Sequence, residues 1–268
     1  MPVWGFPGPA LVFKKEYNQI IMAILRSRNI FDPKSDSPFK LSRSKLEQFL
    51  ACPRCFYIDR RLGVGQPQGP PFNLNKAVDT LLKKEFDIHR AASTQHPLLE
   101  KYSVDARPVV HANLDMWREN FQGVQYHHLP TNLIITGAID DLWINSRDEY
   151  IVVDYKATSK AEVIDKLNDN WHNAYRRQME IYQWLLRANG YTVSSTGYFV
   201  YCNAGTDHIA FDARLEFDVR LIAYEGNDEW VEGVIYRAKG CLMADAAPEA
   251  APNCDFCLYT DARVQRGV

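Results

Sequence analysis

In Val153-Asp154-Tyr155-Lys156 an acid and a base stand two residues apart in an otherwise apolar run. Strand side chains alternate between faces, so Asp154 and Lys156 point one way and Tyr155 the other. Upstream, Gly137-Ala138-Ile139-Asp140-Asp141 also carries acid into a hydrophobic stretch, and antiparallel pairing of the two segments brings Asp140 beside Asp154. Adjacent carboxylates repel and raise each other's pKa unless a cation neutralises them. Oxygen ligands of this kind suit Mg²⁺ or Mn²⁺. A lysine beside such an ion can position or help deprotonate an attacking water, or stabilise charge building on a phosphate. A structural Asp–Lys pair at a strand end, with Asp140 and Asp141 in a turn, is the plainer reading, and alternation alone does not choose between them. Further on, Gln178 and Tyr182 are four apart and share a helix face with Tyr175. They line either an active-site cleft or a satisfied polar pair in the core.

The six cysteines are the second chemical signal. Cys52-Pro53-Arg54-Cys55 and Cys254-Asp255-Phe256-Cys257 each place two thiolates one turn apart, the bite that lets both reach one tetrahedral metal. One such pair alone fits a redox dithiol or chance; two point to a shared four-thiolate site rather than a disulfide framework. A metal there closes a loop of about 200 residues. Cys202 and Cys241 read as ordinary buried thiols.

These groups must be held by a folded chain. Of 268 residues 46% are hydrophobic and 24% charged, the balance of a chain with a sizeable core. No apolar run approaches the roughly 18 residues of a membrane helix, and the N-terminus has its charge after its short apolar stretch, so neither a membrane span nor a secretory signal is expected and the cytoplasm is the expected location. A net charge of −2 makes any nucleic-acid binding local. The stretch from Lys40 to Arg61 supplies a local excess: Lys40, Arg43, Lys45, Arg54, Arg60 and Arg61 against Glu47 and Asp59.

Residues 1–40 read as an accessory segment, with an apolar-periodic stretch from Tyr17 to Leu25. Ser44-Lys45-Leu46-Glu47 has capping-box spacing, so one helix is expected from about Lys45 towards Tyr57, carrying the first cysteine pair. A second runs from about Lys76 to Arg90 with Val78, Leu81, Leu82 and Phe86 inward and Asp79 on or beside that face; a third is indicated near Ala112–Phe121. Strands are expected over Leu133–Ile144 and Tyr150–Lys156, joined by Asn145-Ser146-Arg147-Asp148 as a hairpin. An amphipathic helix follows from about Trp171 to Arg187, capped by Asn189-Gly190. Strands near Ser195–Cys202 and Phe211–Phe217 come next, then a helix from Asp218 to about Lys239 with Leu221, Ile222, Trp230, Val234 and Ile235 inward. The order suits an α/β fold, a mixed sheet flanked by helices.

Together these stretches resemble the PD-(D/E)xK nuclease superfamily, and within it the RecB-like branch that includes the AddB nuclease and the CRISPR-associated iron–sulfur exonucleases. The resemblance spans residues 41–260, leaving 261–268 as a tail. It rests on Leu41 to Leu46 with Phe49, Cys52-Pro53-Arg54 and Phe56-Tyr57; on Gly137 to Asp140; on Asp154-Tyr155-Lys156; and on Gln178 to Tyr182. It implies a restriction-endonuclease-like core with a mixed central sheet and a Mg²⁺- or Mn²⁺-dependent deoxyribonuclease, exonuclease-like, in repair, recombination or defence. A helicase, recombination or CRISPR partner is implied with it. Asp140, Asp154 and the Tyr155 carbonyl are then metal ligands, Lys156 acts on water or phosphate, and Gln178 and Tyr182 line the site. Arg43, Lys45, Arg54, Arg176 and Arg177 are the expected phosphate contacts.

Two departures stand out. Where many members of the branch carry a histidine ligand, this chain has Asp79. Where the branch takes one cysteine from the opening helix and three from the C-terminus, this chain offers two and two. Cys52, Cys55, Cys254 and Cys257 fit a 4Fe-4S cluster, the leaning here, or Zn²⁺. A nucleic-acid-binding module that keeps the fold without cleaving is the alternative function, and RNA the alternative substrate.

Overall fold

The computed structural model describes residues 25–67, 69–160, 164–167, 169 and 172–267. Most of the expected accessory segment, including nearly all of Tyr17–Leu25, and the Trp171 start of the amphipathic helix lie outside them.

The elements run β1 (Phe39–Ser42), α1 (Arg43–Ala51), α2 (Pro53–Arg60), α3 (Asn73–Ala92), α4 (Pro97–Lys101), β2 (Arg107–Pro108), α5 (Leu114–Arg118), β3 (Val124–His128), β4 (Leu133–Gly137), β5 (Asp141–Ile144), β6 (Tyr150–Thr158), α6 (Asn173–Ala188), β7 (Thr196–Ala204), β8 (Phe217–Glu225), α7 (Glu229–Met243) and α8 (Asp255–Arg266). Strands form a five-stranded sheet, ordered β2-β5-β6-β7-β8, and a three-stranded sheet, ordered β1-β4-β3. The larger sheet is mixed: β6 and β7 are parallel, and the other pairs in it are antiparallel. This is the α/β architecture expected, mixed sheets flanked by helices.

The chain divides into two compact units. One, called here the clip unit, gathers the described residues through Phe39 with Gln48–Gly69 and Tyr236 onward; the other, the sheet unit, holds Lys40–Glu47 and Pro70–Ile235. In the sheet unit α3 packs on β2 and β6, while α6 packs on β3, β4 and β6. Alternation along β6 explains both contacts. Ile151, Val153 and Tyr155 face a core with Leu82, Phe86 and Trp143, and Asp154 turns to α6. In the clip unit Phe49 meets Phe56 edge to face and Phe31 meets Phe39 likewise, with Lys239 over the Phe31 ring. Asp59, fully buried, is paired with Arg26 and Arg60.

Several expectations are corrected. The opening helix begins at Arg43, so Ser44 is inside it rather than capping it, and it ends at Ala51. Pro53 is the reason for the break: it pushes Cys52 into an extended conformation (φ −160°, ψ 106°) and restarts the chain as α2. Leu81 faces outward, 63% exposed, because α3 buries a narrower stripe of Leu82 and Phe86 with Val78 at its margin. The third helix is a short turn, Leu114–Arg118.

Leu133–Ile144 is not one strand. It splits at Ala138-Ile139-Asp140, with β4 in the small sheet and β5 in the large one. The strand expected at Phe211–Phe217 starts only at Phe217, and the expected Asp218–Lys239 helix is strand as far as Glu225, becoming helix from Glu229. Phe217-Asp218-Val219-Arg220-Leu221 alternates with period two, and pairing with β7 along nine positions fixes it as a strand. Trp230 is half-buried, with Val231, Val234 and Ile235 buried on α7. Arg266 closes a helix that begins at Asp255, so most of the expected tail is helical.

Candidate functional site

The β5–β6 hairpin positions the acids. Its register pairs Asp141 with Val153, so one step further back Asp140 lies opposite Asp154. Asp140 sits just ahead of β5, and its Oδ2 accepts the Tyr155 backbone N–H at 2.9 Å. Asp154 is completely buried. Its Oδ1 accepts from Gln178 Nε2 at 2.6 Å, and its Oδ2 is ion-paired with Lys156. Lys156 Nζ also donates to Gln178 Oε1 at 3.3 Å and lies 4.5 Å from the centre of the Tyr175 ring. Gln178 Nε2 donates in turn to the Tyr182 hydroxyl at 3.0 Å. Arg43, from the start of α1, stands 6.0 Å over the Tyr182 ring.

Helix α6 packs closely on the end of β4 because Gly137 there has no side chain. A Cβ on Gly137 would lie 2.6 Å from Tyr182 Cε1, well inside contact distance.

From the other face, α3 brings Asp79 and Lys83. Lys83 Nζ is 2.9 Å from Asp79 Oδ2 and 3.6 Å from Asp140 Oδ1. A cleft of about 450 Å³ is lined by Asp79, Lys83, Asp140, Tyr155, Lys156 and Tyr175, among others. Behind it Asp141 anchors the turn. Its fully buried carboxylate accepts from Arg118 at 2.8 Å, the Tyr155 hydroxyl at 2.7 Å and Trp143 Nε1 at 3.2 Å, and pairs with Arg90. Arg118 also donates through Nε to the Asp140 carbonyl at 3.1 Å and forks onto Asp87.

Burial pushes the Asp154 carboxyl up to about 6, with Lys156 pulling against it and Asp140 adding to it. Burial and the Asp140 charge likewise raise Asp79 despite Lys83 and Arg118. Burial works to lower Lys156, but Asp154 and Asp140 outweigh it and hold the ammonium above the ordinary lysine value. Carboxylates raised by burial and by one another, and offset by Lys83, Lys156, Arg118 and Arg43, are what a hard divalent cation relieves.

A family model described as the PD-(D/E)XK nuclease superfamily matches residues 40–262. The chain belongs to that superfamily. It is also similar to the solved structure "Crystal structure of SSO0001", at 16% identity over 95% of each chain with a TM-score of 0.42. No curated protein matches it.

PD-(D/E)XK nucleases use divalent metals and act on nucleic acids. In this chain the carboxylates of Asp140 and Asp154, which repel one another, have the donor chemistry that such an ion takes. Lys83 stands between Asp79 and Asp140 and pairs with both. Lys83 and Arg118 were not singled out from sequence; the i, i+4 spacing of Asp79 and Lys83 was a usable signal, and Arg118 had none.

The expected phosphate contacts disperse. Arg43 is at the site. Arg177 is held bidentate by Glu47 at 2.9 and 2.5 Å, Arg176 donates to the Leu167 carbonyl at 2.6 Å, and Arg54 pairs with Asp261 at 3.3 Å. Lys45 is half-buried on α1. Arg60, from the basic stretch, is buried against Asp59, and Lys40 donates to the Phe121 carbonyl at 2.8 Å.

In the clip unit Cys52, Cys55, Cys254 and Cys257 converge. Their sulfurs all lie within 4.8 Å of one another, and the group can hold metal. Burial raises Cys52, but the Ala251 and Cys55 N–H groups and neighbouring thiols outweigh it and bring it to about 7; Cys257 is pushed up to about 11, by burial first. Cys202 lies in the sheet-unit core, as expected. Among the described residues no helix is long and apolar enough to cross a membrane.

Proposed function

We propose that this chain is a Mg²⁺- or Mn²⁺-dependent deoxyribonuclease of RecB-like, exonuclease type. The carrying observation is the convergence of Asp140, Asp154 and Lys156 at one end of the β5–β6 hairpin, with Gln178 bridging Asp154 and Tyr182. Asp140, Asp154 and the Tyr155 carbonyl would hold the ion, with Asp79 in the place of the branch's histidine. The bound ion supplies Lewis acidity to the phosphate and lowers the pKa of water. Lys156 holds the attacking water or a phosphate oxygen by a charge-assisted hydrogen bond, in a pocket that Tyr175 covers. Gln178 fixes the Asp154 carboxylate, and Arg43, over the Tyr182 ring, is a further basic side chain for a phosphate. In the cytoplasm, a helicase or a recombination or CRISPR assembly would present the DNA; this rests on the resemblance alone.

The test incubates anaerobically purified protein with end-labelled single- and double-stranded DNA, and RNA, in Mg²⁺ or Mn²⁺. Metal-dependent cleavage of DNA by the wild type, lost in folded Lys156→Ala and Asp154→Ala, is expected. Binding without cleavage under either ion would replace the nuclease reading by a silent binding module. Cleavage of RNA alone would overturn the substrate.

A further inference from the structure

We infer that Cys52, Cys55, Cys254 and Cys257 hold a single tetrahedral, redox-inert ion of the zinc class, not the four-iron cluster that the resemblance implies. The inference concerns the clip unit and is independent of the nuclease reading. Sulfur spacing carries it. Cys55 Sγ is 3.5 Å from Cys254 Sγ and 3.5 Å from Cys257 Sγ, and Cys52 Sγ is 3.8 Å from Cys257 Sγ. Four sulfurs bound to one ion at about 2.3 Å stand about 3.8 Å apart along the edges of their tetrahedron. In a four-iron cluster each thiolate binds a different iron, so the sulfurs surround a cube of irons and sulfides. Sulfurs all within 4.8 Å of one another leave no space for that cube.

The two pairs are also built alike. Cys52 is the N-cap of α2 and Cys55 lies three residues on; Cys254 is the N-cap of α8 and Cys257 lies three residues on. Each helix start offers partial positive charge to its thiolates, and the Ala251 N–H donates to Cys52 Sγ at 3.5 Å. Two equivalent two-cysteine turns make the two-plus-two set that structural zinc takes. The remaining cysteine of this unit, Cys241, is turned to the Pro53 carbonyl at 3.8 Å. A zinc-class d¹⁰ ion does not change oxidation state and so relays no electrons, which leaves the clip structural work.

The experiment reads metal and spectra rather than cleavage. Full-length protein is produced in medium containing both iron and zinc and purified without oxygen. About one zinc per chain, with no acid-labile sulfide, is expected. Iron with matching sulfide and a brown absorption would overturn the inference. Chelator-stripped protein is then titrated with Co²⁺. One equivalent should saturate an intense tetrahedral thiolate spectrum, and a weak octahedral spectrum or no change would count against a single-ion site. Cys254→His keeps a tetrahedral donor set and should keep one zinc with shifted cobalt bands, while Cys241→Ser should match the wild type. Loss of metal from Cys241→Ser would place the site elsewhere.

Discussion

Asp140 and Asp141 are consecutive, yet their carboxylates have opposite surroundings: Asp140 is 25% exposed in the cleft facing Lys83, whereas Asp141 is fully buried and paired with Arg90 and Arg118. Asp140→Asn should therefore lower cleavage roughly a hundredfold or more with a stability change below about 1 kcal/mol. Asp141→Asn should cost about 3–5 kcal/mol, because it leaves the buried Arg90 and the partly buried Arg118 short of a charge. Urea unfolding beside a nuclease assay separates the two, and equal stability losses would refute the division of labour.

Lys83 spans Asp79 and Asp140 and so competes with any cation for them. Lys83→Met should tighten divalent-ion binding on the order of fivefold, which is about 1 kcal/mol. Titration calorimetry with Mn²⁺ reads this directly. Weaker binding in the variant would mean that Lys83 orients the two acids instead of occupying their space.

Gly137→Ala puts a methyl group into the Tyr182 ring. The expected cost is about 1–3 kcal/mol, with activity falling as α6 and Gln178 move off β6. An unchanged melting temperature would show that the ring has room to retreat.

Three histidines should contribute a loss of stability from about pH 6.5 downward, opposed by Asp154 and Asp79, whose raised folded values take up protons before the unfolded chain does. Burial lowers the pKa of His96, His111 and His172. His96 and His111 each accept a backbone N–H through Nδ1, from Leu98 at 3.0 Å and Asn113 at 3.1 Å, which a second ring proton would break. As pH falls the unfolded chain takes these protons first. Their contribution is thus complete above the unfolded value and is lost as pH drops through 6.5 towards the folded values. Chemical denaturation between pH 5 and about 8 checks the slope, which His96→Asn should flatten.

Much of the site was readable because it lies on two regular patterns. Alternation placed Asp154 and Lys156 on one face of β6, and the i, i+4 spacing placed Gln178 and Tyr182 together on α6. What was not readable depended on distant partners. Nothing local breaks Leu133–Ile144, which is divided between two sheets. Leu221-Ile222 suits a helix as well as a strand until β7 is paired with it. Arg118 reaches the site from a five-residue helix with no periodicity to announce it. The break at Cys52 did carry a signal, Pro53, which the capping-box spacing of Ser44 to Glu47 obscured.

The clip has a temporal consequence. Cys254 lies 199 residues after Cys55, and at about 5–20 residues per second a ribosome needs roughly 10–40 s to deliver that interval. Pro70–Ile235, which forms most of the sheet unit, is complete before the second cysteine pair is made. Assembly thus has an order written into the chain: the hairpin and its carboxylates come first and the seal last. A nascent chain halted before Cys254 would carry the acids of the cleft in its sheet unit while its clip unit had not closed.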